Sequence, residues 1–226
     1  MVEIIPAIMP KSLEDIVAEA HRVETLVRMV QVDVMDGIFV PSADWPYTAD
    51  SDAVFDAMAS GGISLAKDGG GVSFEIDLMV ENPALHAGDW IAAGAKRIIF
   101  HIESLDDPSS LFEELPRDGF EIGLALNPDT SNDAVASYIQ HIDFVQCMGI
   151  TNIGYQGQAF DERVLGKLRV FRETFPSIVL SVDGGVSLDI APKLIEAGAN
   201  RLVSGSAIWQ SDDILGTIVK FQSLEQ

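Results

Sequence analysis

At 226 residues, 47% of them hydrophobic and 22% charged, the chain is long enough for one α/β domain spanning 1–226 with a substantial buried core. Fourteen basic against 35 acidic residues leave a net charge of −21, a field that repels nucleic acid and anionic membrane and so excludes both as partners. Apolar runs stay short of the roughly 18 residues that read as a membrane-spanning helix, and the lone Cys147 excludes an intrachain disulfide and fits a reducing cytoplasm.

The chain opens MVEIIPAIMPKSLED, with no basic region followed by an apolar stretch, so no signal peptide is expected. Short apolar runs then alternate with amphipathic segments from end to end. Strands are expected over 3–9, 29–35, 72–79, 96–102, 120–126, 142–148, 178–183 and 201–206. Helices are expected near 12–27, 50–60, 82–93, 108–116, 131–140, 160–174, 187–197 and 211–222. Ser12, Asn82-Pro83, Ser187 and Ser211 are capping signals, and Gly94 and Gly198 close two helices in the phrases AAGA and EAGA. Eight strand–helix pairs point to a (β/α)8 barrel, with an open doubly wound sheet as the alternative. The segment SGGISLAKDGGGVS (60–73) is an insert before the third strand that reads as a surface loop or as a lid.

The strand VRMVQVDVMDG carries an internal contradiction. Val32 and Val34 point one way; Gln31, Asp33 and Met35 point the other, although a strand covered on both faces should be apolar on both. The third strand repeats the pattern with Glu75, Asp77 and Met79, the fourth with His101 and Glu103, and the seventh with Ser181 and Asp183. In a (β/α)8 barrel the active site lies at the C-terminal ends of the strands. Several acids delivered there cannot all ionise without a cation or shared protons, which argues for a metal or acid/base site. Glu75 and Glu103 are the members best read as structural. On the last strands GYQGQ (154–158), DGGV (183–186) and SGS (204–206) form a second group, whose glycines let backbone N–H groups approach an anion.

In this order, VDVMDGIFVP, DLMVENP, GLALNP, GQAF, VDGGV and VSGSAI resemble ribulose-phosphate 3-epimerase over essentially the whole chain. The resemblance implies a (β/α)8 barrel that interconverts D-ribulose 5-phosphate and D-xylulose 5-phosphate. It implies that Asp33 and Asp183 exchange protons at C3, beside a divalent metal that holds the enediolate oxygens. Met35, Met79 and Ala7 would line the substrate, and Gly154, Gly157, Gly184, Gly185, Gly205 and Ser206 would seat its phosphate. Members are commonly dimers or hexamers, which implies a homo-oligomer. The two carboxylates agree with the chemistry, since inversion beside a ketone needs an acid/base group on each face.

The departures bear on the metal. The family's metal is held by two histidines and two aspartates, but this chain has Gln31 and Asp77 where the histidines stand. Ala7 replaces a serine, and the loop usually written Gly-Phe-Gly-Gly-Gln reads Gly154-Tyr155-Gln156-Gly157-Gln158. Gln31, Asp33, Asp77 and Asp183 form an all-oxygen set, which suits Mg²⁺ or Mn²⁺ better than Zn²⁺. Three readings follow: an epimerase with an altered metal site or with the metal lost, an epimerase or isomerase of another ketose phosphate, and a catalytically silent phosphosugar-binding barrel.

Overall fold

Eight parallel strands close on themselves in sequence order: β1 Glu3–Ile8, β2 Met29–Met35, β3 Ser73–Met79, β4 Arg97–His101, β5 Glu121–Leu126, β6 Phe144–Met148, β7 Val179–Asp183 and β8 Arg201–Ser204. β8 pairs with β1, so the sheet has no edge. This computed structural model describes residues 2–65, 70–115 and 119–225. The helices around the barrel are α1 Leu13–Val23, α2 Ser51–Ala59, α3 Ala84–Ala92, α4 Pro108–Glu114, α5 Asp133–Ala136, α6 Arg163–Thr174, α7 Ala191–Glu196, α8 Ser206–Trp209 and α9 Ile214–Gln222. Among the described residues no helix is long and apolar enough to cross a membrane.

The period-two reading of the strands holds. Val30, Val32 and Val34 of β2 join the large core between sheet and helices, where α1 contributes Ile16, Ala20 and Val23 at helical spacing. The opposite faces fill the barrel: Met35, Met79, Ile99, Ala125, Phe144 and Met148 form one interior cluster, and Ile5, Ala7, Met29 and Val203 another. At the N-terminal end the interior closes with charges. Arg97 donates to Glu75 (2.9 Å), Glu3 (3.0 Å) and Glu121 (3.1 Å), and Arg201 reaches Glu121 (2.9 Å) and Glu3 (3.2 Å). Glu75 is thus tied into this ion-pair cluster and does not line the cleft at the C-terminal mouth.

Ser12 caps α1 as expected, accepting from Asp15 N at 3.2 Å, and Gly94 and Gly198 end their helices at φ 102° and 107°, where a side chain would be strained. Other ends shift. α7 begins only at Ala191, with Pro192 in its first turn, and Ser187 contributes its backbone carbonyl rather than its hydroxyl. α9 is capped by Asp213, which accepts from Gly216 N at 2.9 Å, while Ser211 Oγ accepts from Asp213 N. Pro83, rather than the Asn82 side chain, stands at the start of α3, and Asn82 takes φ 51°. The helix expected over 131–140 contracts to α5, because Tyr138 N–H turns to Val135 O and tightens the backbone into a 3₁₀ turn.

Residues 66–69 of the glycine-rich insert lie outside the described residues. Its described flanks are tied to the N-terminal end of the barrel. Leu65 is buried and donates its N–H to Ala93 O (2.8 Å) beyond the end of α3, and Gly71 N donates to Glu24 just past α1. Neither described flank, 60–65 nor 70–73, borders the mouth.

Candidate active site

The register of β2 against β3 sets Gln31 beside Glu75, Asp33 beside Asp77 and Met35 beside Met79. Closure of the barrel brings Asp183, the last residue of β7, to the same place: Asp33, Asp77 and Asp183 each offer an oxygen within 4.8 Å of the others. Gln31 lies between two of them. Its Nε2 donates to Asp33 Oδ1 at 2.7 Å and to Asp183 Oδ2 at 2.9 Å, and its Oε1 is buried without a hydrogen-bond partner among the described residues.

Three buried carboxyls this close repel one another's charge. Burial, then the neighbouring Asp183 and Asp77, push the Asp33 carboxyl well above the usual aspartate range, against the opposing pull of the Gln31 N–H. Burial and Asp77 likewise raise Asp183 to about 7. The pair therefore takes up a proton far more readily than two aspartates in water.

Asp77 is held from its other side. His101 Nε2 lies 3.1 Å from Asp77 Oδ1, and Gln146 Nε2 donates to Oδ2 at 3.1 Å. Ser181 Oγ in turn donates to Gln146 Oε1 at 3.1 Å. Burial lowers the affinity of His101 for a proton, but the surrounding acids, Asp77 first and then Glu103 and Asp183, together outweigh it and the net shift is upward. Glu103, placed with His101 on sequence grounds, instead accepts from Asn127 N (2.8 Å), with Oε2 3.9 Å from His101 Nδ1. Gln146 went unread in the sequence, although it carries the signal that marked Gln31, a polar residue facing inward in an apolar strand.

Above the carboxylates a cleft opens at the C-terminal mouth. Asp33 and Asp183 form its floor with Ala7 and Met79, and every residue of the expected anion seat borders it: Gly154 and Gly157 from the loop after β6, Gly184 and Gly185 after β7, Gly205 and Ser206 after β8. Gln31, Asp77 and Met35 lie below this surface. Met35 is fully buried, and its sulfur would stand 3.3 Å from a β-carbon at Gly154. Gln156, which departs from the expected loop wording, also lines the cleft and donates to Ala7 O at 3.3 Å.

Asp33, Asp77 and Asp183 fit a hard divalent cation by donor type: three carboxylates with nearby oxygen atoms, and beside them the unpartnered Gln31 Oε1. Without a cation, the same charges are relieved by protons.

The ribulose-phosphate 3-epimerase family profile matches residues 3–209. A ribulose-phosphate 3-epimerase of Aquifex aeolicus is 30% identical over 203 residues, covering 87% of this chain and 84% of that protein. Its counterpart in Candida glabrata is 29% identical over 218 residues, covering 93% and 87%. Among solved structures, KGPDC from Streptococcus mutans superposes with a TM-score of 0.70 over 99% of this chain and 96% of that one; at 16% identity it supports the barrel fold alone. With the profile spanning nearly the whole barrel, the chain belongs to the ribulose-phosphate 3-epimerase family, enzymes of the isomerase class.

Proposed function

We propose that this protein interconverts D-ribulose 5-phosphate and D-xylulose 5-phosphate by moving protons at C3 through Asp33 and Asp183. The observation that carries this reading is the bridge Asp33–Gln31–Asp183: two carboxyls from opposite parts of the barrel, both shifted towards protonation and joined through one amide nitrogen. Epimerisation beside a ketone removes a proton from one face of C3 and returns one to the other. The partner in its ionised form takes the C3 proton, and the partner carrying the shared proton gives it to the opposite face of the planar enediolate. The pair ends with its proton moved from one carboxyl to the other, and exchange with water or the reverse reaction resets it.

The phosphate is seated by backbone at Gly154, Gly157, Gly184, Gly185, Gly205 and Ser206, a local attraction within a chain of net charge −21. Asp33, Asp77 and Asp183 would hold a divalent cation, with Gln31 as the fourth residue of the set. Their oxygen donors favour Mg²⁺ or Mn²⁺ over Zn²⁺. Such a cation, when bound, supplies positive charge beside the oxygens that become negative as the C3 proton leaves.

The test is proton exchange followed by NMR in D₂O, with metal-stripped protein and D-ribulose 5-phosphate, before and after adding Mg²⁺, Mn²⁺ or Zn²⁺. Deuterium at C3 together with xylulose 5-phosphate, recovered best with Mn²⁺ or Mg²⁺, is the expected result; exchange without any metal would leave the two aspartates as the whole machinery. Asp33→Asn and Asp183→Asn should each lower turnover about 10²- to 10⁴-fold. A different ketose phosphate is the second reading, favoured by Gln156, whose carboxamide narrows the cleft beside Gly205. It prevails if ribulose 5-phosphate shows no exchange and another ketose phosphate does.

A further inference from the structure

The geometry points to Ser181 and Gln146 as positioning residues that orient Asp77 towards Asp33 and Asp183 and so build the cation site. This inference rests on the cation site proposed above. His101, Ala125, Gln146 and Ser181 stand in one row across β4, β5, β6 and β7, each paired with the next in the sheet register. The small side chain of Ala125 leaves the space across which His101 and Gln146 converge on Asp77, one on each of its oxygens. Asp77, His101, Gln146 and Ser181 are all fully buried, so water does not compete for these bonds.

The orientation of the row is set at Asp77, whose carboxylate only accepts and so takes Gln146 Nε2, and it is held at Ser181, whose hydroxyl gives its hydrogen to the Gln146 Oε1 left facing away. With the hydroxyl gone, Oε1 is buried without a donor, and the amide shifts to find one. Asp77 would then lose a well-placed donor, and its remaining lone pairs would no longer be aimed at the Asp33–Asp183 pair. Partners of this kind around a ligand typically govern metal affinity by 10- to 100-fold.

The experiment is Mn²⁺ titration of metal-stripped protein, read from the free-ion EPR signal, which is independent of turnover. Ser181→Ala and Gln146→Leu should each weaken Mn²⁺ binding about 10- to 100-fold. Ser181→Thr, which keeps a hydroxyl, should stay within about threefold of the parent. Thermal unfolding in EDTA verifies that each variant is folded. Unchanged binding in Ser181→Ala, or equal losses in Ser181→Ala and Ser181→Thr, would overturn the inference while leaving the cation site standing. Absence of Mn²⁺ binding by the parent protein would overturn the cation site and this inference together, and the C3 exchange experiment reads the two aspartates separately from both.

Discussion

The carboxamide of Gln156 rests against the α-carbon of Gly205. A β-carbon at position 205 would stand 2.4 Å from Gln156 Nε2 and 2.7 Å from Cδ. Nε2 also donates to Ala7 O at 3.3 Å, an oxygen that already accepts from Trp209 Nε1 at 2.7 Å. Gln156 is therefore held lightly, in a place available only because residue 205 has no side chain.

Gly205→Ala should push Gln156 out of this position and into the proposed anion seat. The expected effect is a rise in KM for the ketose phosphate of about tenfold, with kcat little changed, since the lost interaction is one of binding rather than of proton transfer. Adding Gln156→Gly should recover most of the loss, because the colliding side chain is then absent. Steady-state kinetics on the two single variants and the double variant give the coupling directly.

Stability should fall as pH rises. Asp33 is shifted upward by burial, Asp183 and Glu75 to about 7 and Asp44 to about 8, so the folded chain keeps protons that the unfolded chain gives up. The stability these protons contribute is fully present below the ordinary aspartate value of 3.8 and is lost as pH rises through 7 to 8. A cation binds the ionised carboxylates, so Mn²⁺ should raise Tm more at about pH 8 than at about pH 5.5. At roughly 100 times Kd the gain should be about 5 °C or more. Differential scanning fluorimetry across pH, with and without Mn²⁺, measures it, and a Mn²⁺ effect that shrinks with rising pH would contradict it.

Arg97→Met should destabilise the fold by about 3–5 kcal/mol, because it strands the buried Glu75 without its principal partner. Adding Glu75→Gln should recover part of that loss by replacing the buried carboxyl that has lost its cationic partner. Urea unfolding at neutral pH reports both.

Replacing Gln31 and Asp77 together by histidine should move the cation preference towards Zn²⁺. Imidazole suits zinc better than an amide or carboxylate oxygen does, while Asp33 and Asp183 remain as oxygen donors. Competition between Zn²⁺ and Mn²⁺ should shift about tenfold or more in favour of zinc; an unchanged ratio would show that these two positions do not set the preference.

Much of this was legible along the chain. The alternation in MVQVDVM is a property of the extended backbone, so the inward direction of Gln31, Asp33 and Met35 follows from spacing alone. The glycine stops at Gly94 and Gly198 are equally local. Helix ends were less legible where two capping residues compete, as Ser211 and Asp213 do, because their difference lies in side-chain rotamers and backbone angles rather than residue type. The helix α8 at Ser206–Trp209 was hidden inside the motif SGSAIW.

By itself, then, the sequence determined the barrel, the family resemblance, the two aspartates and the glycine turns that share the cleft, since these depend on short-range periodicity and motif. Only the tertiary structure decided that Gln31 bridges Asp33 to Asp183, 152 positions along the chain from Gln31, and that Asp77 is shared between His101 and Gln146. Those contacts arise where β2, β3, β4, β6 and β7 converge in a closed sheet. The stagger of closure sets which inward side chains meet, a distance relation that no local pattern of residues contains.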